Sequence, residues 1–181
     1  MFERHYSKKG FTLAEVLIVV AIIAIATAFM LVSVTTQRGA RGVDRAAREV
    51  ASALREAQGY AITGRSTSGE DNCWIGIDIA AAGGNYTVMN TYRTGATCAT
   101  NSNGTIASYS LKDGVTFTSA PERLTFSIPR GEVYYLSGGL MTLLAPGASW
   151  IIGVTKNGAT EYVCVYSTGR IIENRTSSTC P

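Results

Sequence analysis

The sequence is poor in histidine and in charge. Its one histidine, His5, lies within a short basic stretch at the N-terminus, and no imidazole follows Gly10. That excludes Ser-His and Cys-His nucleophilic catalysis and any histidine-ligated metal site from the rest of the chain. An enzyme would then have to rely on carboxylates, and no acid pair stands out for that role, so catalysis is not expected. Charged residues make up only 16% of the 181 positions. The formal charge of +3 is also unevenly placed: Arg4, Lys8 and Lys9 against Glu3 supply +2, which leaves 13 basic against 12 acidic residues beyond Gly10. Nucleic-acid binding would need a local patch, because the chain has no polycationic field. There are four prolines and no C-x-x-C spacing, but nineteen glycines and many Thr, Ser, Tyr and Val, the composition of a β-rich body with tight turns.

What is present is one long apolar run. Val16 to Val34 carries no charge, and only Thr27 and Ser33 interrupt it with polar groups. As a helix it spans about 28 Å, close to the hydrocarbon thickness of a bilayer. Lys8 and Lys9 precede it, which orients the N-terminus to the cytoplasm and the body outside. A cleaved secretory signal would have a shorter apolar core, roughly 7 to 15 residues, and a small-x-small site beyond it. The Ser33–Thr36 stretch offers none. A plain signal anchor would leave Glu15 as an incidental acid at the membrane edge. Yet an acid inside a membrane helix costs about 2.5–3.5 kcal/mol unless it finds a partner.

The stretch KKGFTLAEVLI, residues 8 to 18, resembles the type IV prepilin signature: a basic leader, a glycine, a phenylalanine, and a glutamate at the fifth position after the cut. The resemblance implies that prepilin peptidase cleaves between Gly10 and Phe11 and that the new amine of Phe11 is N-methylated. It also implies that Glu15 meets the Phe11 amine of a neighbouring subunit during assembly. The precursor would sit in the inner membrane as a single-pass protein with its body in the periplasm, and would enter a pilus or pseudopilus with other pilin subunits.

Beyond Val34 the pattern becomes amphipathic. Val43, Ala46, Ala47, Val50, Ala51, Leu54, Ala57, Ala61 and Ile62 recur at helical spacing, while Arg41, Asp44, Arg45, Arg48, Glu49, Arg55 and Glu56 mostly fill the other face. Asp44 is placed to pair with Arg48, and Gly64 suits a C-cap. No proline breaks the apolar half, so one helix is expected from about Phe11 to Thr63. Gly39 and Gly42, each costing about 1 kcal/mol against alanine, mark where it would bend or melt. Segment 38–65 holds six arginines against three acids, an excess better explained by a solvated or subunit-contacting face than by a nucleic-acid stripe.

From Cys73 onward the period is two. Cys73, Ile75, Ile77 and Ile79 alternate with Trp74, Gly76 and Asp78. YTVMNTY, VTFTS, LTFSI, EVYYL, LMTLL, WIIGVT and EYVCVYS follow as strands, divided by turn-type KDG, PRG, SGG, PGAS and KNG. Lys156-Asn157-Gly158 signals a hairpin, and residues 93–105 read as a long irregular loop. Three segments in order, AAREVASALREAQGYAITGR, LTFSIPRGEVYYLSGGLMTLL and EYVCVYSTGRI, resemble landmarks of the GspH/FimT group of minor pilins and pseudopilins. The middle one has four residues between Phe126 and Gly131, where the group usually has three.

The expected fold class is therefore α+β and pilin-like, a long helix on a mostly antiparallel, β-sandwich-like body. The leader is 1–10, the membrane and assembly half of the helix 11–37, its amphipathic half 38–64, and the body 65–181. The resemblance implies a structural minor subunit of a type IV pilus or type II secretion pseudopilus, with no cofactor. Some FimT-side members bind DNA through Gly-Arg-x-Arg. Here the corresponding stretch is Gly169-Arg170-Ile171-Ile172, with Arg175 three residues beyond, so the alternative is a pilus-tip DNA-binding subunit using Arg170 and Arg175. Bracing of the last strand by Arg170 is the preferred reading, since so few cations would hold phosphate weakly.

Cys73, Cys98, Cys164 and Cys180 are even in number and on the side where disulfides persist. Three pairings exist. Nearness in sequence favours Cys73–Cys98 and Cys164–Cys180, each contributing about 3 kcal/mol by restricting the unfolded chain.

Overall fold

The computed structural model describes residues 10–64, 72–80, 83–94, 97–137, 139–174 and 178–181, without the side chains of 29–38, 94, 97, 99–102 and 137. It divides into two compact units, one ending at Arg38 and one running Gly39–Pro181. A single helix, α1 (Leu13–Thr63), is followed by ten strands: β1 (Asn72–Ile79), β2 (Asn85–Thr94), β3 (Thr97–Ser110), β4 (Thr116–Ser119), β5 (Arg123–Ser127), β6 (Val133–Ser137), β7 (Leu140–Leu143), β8 (Ser149–Lys156), β9 (Ala159–Tyr166) and β10 (Ile171–Asn174). The chain is thus α+β, a helix with antiparallel sheets, consistent with a pilin-like fold. Helical hydrogen bonding continues through Gly39 and Gly42, and the helix ends at Gly64, which has φ +65.

In the second unit the amphipathic half of α1 does what its spacing dictates. Val43, Ala47, Val50, Leu54, Ala57 and Ala61 are completely buried. Six buried alanines of this helix half, Ala46, Ala47, Ala51, Ala53, Ala57 and Ala61, let the sheets approach the helix closely, while Leu54 supplies bulk. Ile62 is a correction. It was expected on the apolar face, yet it is 55% exposed, because one residue past Ala61 the helix has turned about 100° away from the core.

The strands form a six-stranded sheet, β3-β2-β1-β5-β6-β7, and a four-stranded sheet, β10-β9-β8-β4. Ile75, Ile77, Leu124, Phe126 and Val133 from the first join Ile152, Val154, Val163 and Val165 from the second in one hydrophobic core with the helix stripe. Aromatic pairs tie the sheets together: Tyr135 of β6 lies 4.4 Å from Trp150 of β8, and Tyr86 of β2 meets Phe117 of β4 edge-on at 6.1 Å. The β8–β9 hairpin closes through Asn157 (φ 50) and Gly158 (φ 81), two successive left-handed residues. That is the twist a two-residue hairpin needs and the reason for an Asn-Gly pair.

The loop expected over 93–105 is largely strand. β2 continues to Thr94, β3 begins at Thr97, and Arg93 pairs with Cys98 and Thr91 with Asn103. The segment lacks apolar alternation, so its strand character comes from its partners. The Thr91 hydroxyl donates to Asn103 Oδ1 at 3.1 Å, Arg123 Nη1 donates to the same oxygen at 3.2 Å, and Arg123 Nη2 reaches Asp78 at 2.9 Å. Arg123 is only 8% exposed, so its charge is held by this polar network on the outer side of the sheet.

Two disulfides join Cys73 to Cys98 (Cα–Cα 5.9 Å) and Cys164 to Cys180 (5.7 Å). The second closes 16 residues and pins the C-terminal tail, where Asn174 Nδ2 also donates to Thr179 O. Replacing Cys164 and Cys180 together by alanine is expected to lower unfolding stability by about 3 kcal/mol, read as an earlier urea midpoint.

Burial, reinforced by the neighbouring Glu49 carboxylate, pushes the Tyr86 phenol well above its ordinary range. Its hydroxyl donates to Glu49 Oε1 at 3.2 Å. With the folded value raised, the stabilisation is fully present below the unfolded phenol value of about 10 and is lost as the pH climbs beyond it. Alkaline melts should therefore show stability falling from about pH 10 upward, and Tyr86→Phe should flatten that fall.

Candidate functional site

The first unit holds the residues that the sequence singles out for processing and assembly, Gly10, Phe11 and Glu15. Gly10 and Phe11 precede the helix, and Phe11 is 87% exposed. Thr12 is the N-cap. Its side chain accepts from the Glu15 N–H at 3.3 Å, while Glu15 Oε2 accepts from the Thr12 N–H at 2.9 Å and from its hydroxyl at 3.1 Å. This reciprocal arrangement is a capping box, Thr-x-x-Glu, which satisfies two of the four amide donors that every helix start leaves free. Sequence reasoning weighed Glu15 only as a charge in an apolar run and passed over the Thr12 signal. A carboxylate in the first turn also faces the positive end of the helix dipole.

Behind the cap the helix is apolar all round. Leu13, Val16, Leu17, Ile18, Val19 and Ile22 are each more than half exposed, and together they point to every side of the axis. Its one described polar interruption is internally satisfied, since the Thr27 hydroxyl donates to the carbonyls of Ile23 and Ala24, both at 2.9 Å. A helix of this kind is stable only when other apolar groups surround it, whether lipid or neighbouring helices. Among the described residues no helix is long and apolar enough to cross a membrane; the described side chains of the run stop at Ala28.

In the second unit Arg170 is exposed, with its guanidinium over the Tyr166 ring at 5.4 Å, and its carbonyl accepts from the Tyr166 N–H. Arg175 lies outside the described residues. Arg170 belongs to the second unit, Phe11 and Glu15 to the first. The last strand is also held from the helix, by contacts the sequence did not reveal. Arg55 Nη2 donates to Ile171 O at 3.2 Å and lies 3.2 Å from Glu173, and Gln58 Nε2 donates to Gly169 O at 2.9 Å.

Residues 6–31 match the prokaryotic N-terminal methylation motif. The match covers the glycine, the phenylalanine, the capping box and most of the apolar run. No curated protein and no solved structure matches the chain. The motif supports a type IV pilin-like precursor, a class processed by prepilin peptidase and assembled with other pilins, and points to a structural rather than a catalytic protein.

Proposed function

We propose that the chain is a minor pilin or pseudopilin of the GspH/FimT kind, serving a type IV pilus or a type II secretion system. In this reading residues 11–37 hold the precursor in the inner membrane as a single-pass anchor, with the 65–181 body on the periplasmic side as a β-sandwich-like unit against the 38–64 helix. Prepilin peptidase cuts between Gly10 and Phe11, the Phe11 amine is methylated, and the apolar helix passes from lipid into the core of a filament. There the Glu15 carboxylate meets the charged amine of a neighbouring Phe11. The observation that carries the proposal is the helix beginning at Leu13, which exposes apolar side chains on every side directly behind an accessible Gly10–Phe11 bond. Lipid and a bundle of like helices both satisfy such a surface, and a pilin uses the two in turn.

The test is mass spectrometry of the N-terminal peptide from cells with and without prepilin peptidase. With the peptidase, the chain is expected to begin at N-methylated Phe11; without it, Gly10 and Phe11 stay joined. A mature chain starting near residue 36 would overturn the proposal.

A further inference from the structure

The end of the second unit nearest in sequence to the apolar run is basic. Arg41 and Arg45 are exposed on α1, one turn apart. Beside them lie the β3–β4 turn with Lys112 and the β8–β9 turn with Lys156. A Cβ placed on Gly42 would stand 3.8 Å from Val115 and 4.0 Å from both Asp113 and Lys156, and one on Gly39 would stand 3.7 Å from Asn157. Both turns therefore lie within van der Waals reach of the helix at these two positions. The ammonium of Lys156 donates to the Asp113 carbonyl and ties one turn to the other. Four cations thus share one end of the body with Asp113. Asp44 is already engaged by Arg48 at 2.7 Å, and Glu161 stands further up the hairpin, opposite Val154. Arg41, Arg45, Lys112 and Lys156 against Asp113 give a local excess of +3, while the whole chain beyond Gly10 carries only +1.

We propose that this basic end docks on the anionic lipid headgroups of the membrane that holds the precursor, keeping the body seated on the bilayer until assembly lifts it away. The inference rests on the membrane-held reading above. Chain connectivity brings the surface within reach: Arg41 is seven residues past Val34, and even a fully extended chain covers no more than about 25 Å over that distance. Charge adds a second argument: anionic headgroups attract cations near their surface at roughly fivefold in affinity for each, and four stand together here.

The experiment places the full chain in nanodiscs of phosphatidylcholine, alone or with phosphatidylglycerol, and follows amide exchange in peptides spanning the two turns, 111–116 and 155–159. Exchange is expected to be at least threefold slower with phosphatidylglycerol at low salt, and the difference should vanish at high salt, since exposed charge pairs are screened. Arg41→Glu/Arg45→Glu and, separately, Lys112→Glu should abolish it with circular dichroism unchanged. All three residues are exposed, so folding is not at stake. Equal exchange in both lipids overturns the proposal. So does protection that ignores headgroup charge and grows with the number of chains per disc, which assigns the surface to a neighbouring subunit. A chain that enters neither disc overturns the membrane-held reading as well.

Discussion

Glu15→Gln should reduce incorporation into filaments at least tenfold, while Thr12→Val should reduce it no more than about fivefold. The pair separates the capping that the structure shows from the intersubunit charge that we propose for the same side chain. Glutamine retains a carbonyl oxygen able to accept from the Thr12 N–H, so the helix start stays capped, but its charge is gone. Valine removes the hydroxyl that bonds Glu15 at both its amide and its carboxylate, yet leaves the charge in place. Loss of an N-cap costs about 1 kcal/mol, which is the origin of the fivefold ceiling. Loss of a carboxylate that meets an amine in apolar surroundings costs several times more, because the remaining cation is left unpaired. Precursor levels in the membrane should not fall in Glu15→Gln, since a neutral side chain enters lipid more cheaply than a charged one. Filament counts by electron microscopy, set against membrane-bound precursor by immunoblot, read both quantities. If Thr12→Val proves the more damaging and Glu15→Gln assembles normally, Glu15 is a helix cap and nothing more.

The parts of the fold legible in the sequence are those where one face of an element is buried and the period is therefore forced. The stripe from Val43 to Ala61 and the alternation Cys73-Ile75-Ile77-Ile79 both project into the core as their spacing requires. The Asn157-Gly158 turn was legible because few other residue pairs adopt two left-handed conformations in succession. Residues 97–105 were not. TCATNSNGT has no apolar period, and it becomes strand through pairing with β2 and through the polar contacts of Asn103. Tertiary pairing overrode local preference there. The Asp78–Arg123 pair was hidden for a related reason: the two residues are far apart in sequence, and only the β1–β5 register sets them opposite one another. At the N-terminus the Thr-x-x-Glu signal was in plain view, but the cost of a charge in an apolar run drew the reading toward an intersubunit partner. The intramolecular contacts show that the same acid caps its own helix.

Gly76→Ala should be among the most damaging single substitutions in the body, costing about 3 kcal/mol or more. Gly76 lies mid-strand in β1, opposite Met89 of β2 on one side and Thr125 of β5 on the other. A Cβ there would sit 2.0 Å from the Leu124 carbonyl oxygen and 2.5 Å from Thr125 Cα. Both obstacles are backbone, so no rotamer change relieves the clash; β1 and β5 must part. They cannot part cheaply, because Leu124 and Phe126 on β5 are completely buried and the β1–β5 ladder joins the β1–β3 half of the sheet to the β5–β7 half. Gly59→Ala is the matched control. Gly59 is exposed on α1 with nothing within 4 Å of its missing Cβ, so the same added methyl should raise stability by about 0.5–1 kcal/mol through helix propensity and a less free unfolded chain. Urea midpoints of the two variants should move in opposite directions. A Gly76→Ala midpoint within error of the parent would mean that β1 and β5 are spaced more widely than this close approach implies, and the rigid central sheet that braces the helix would have to be given up.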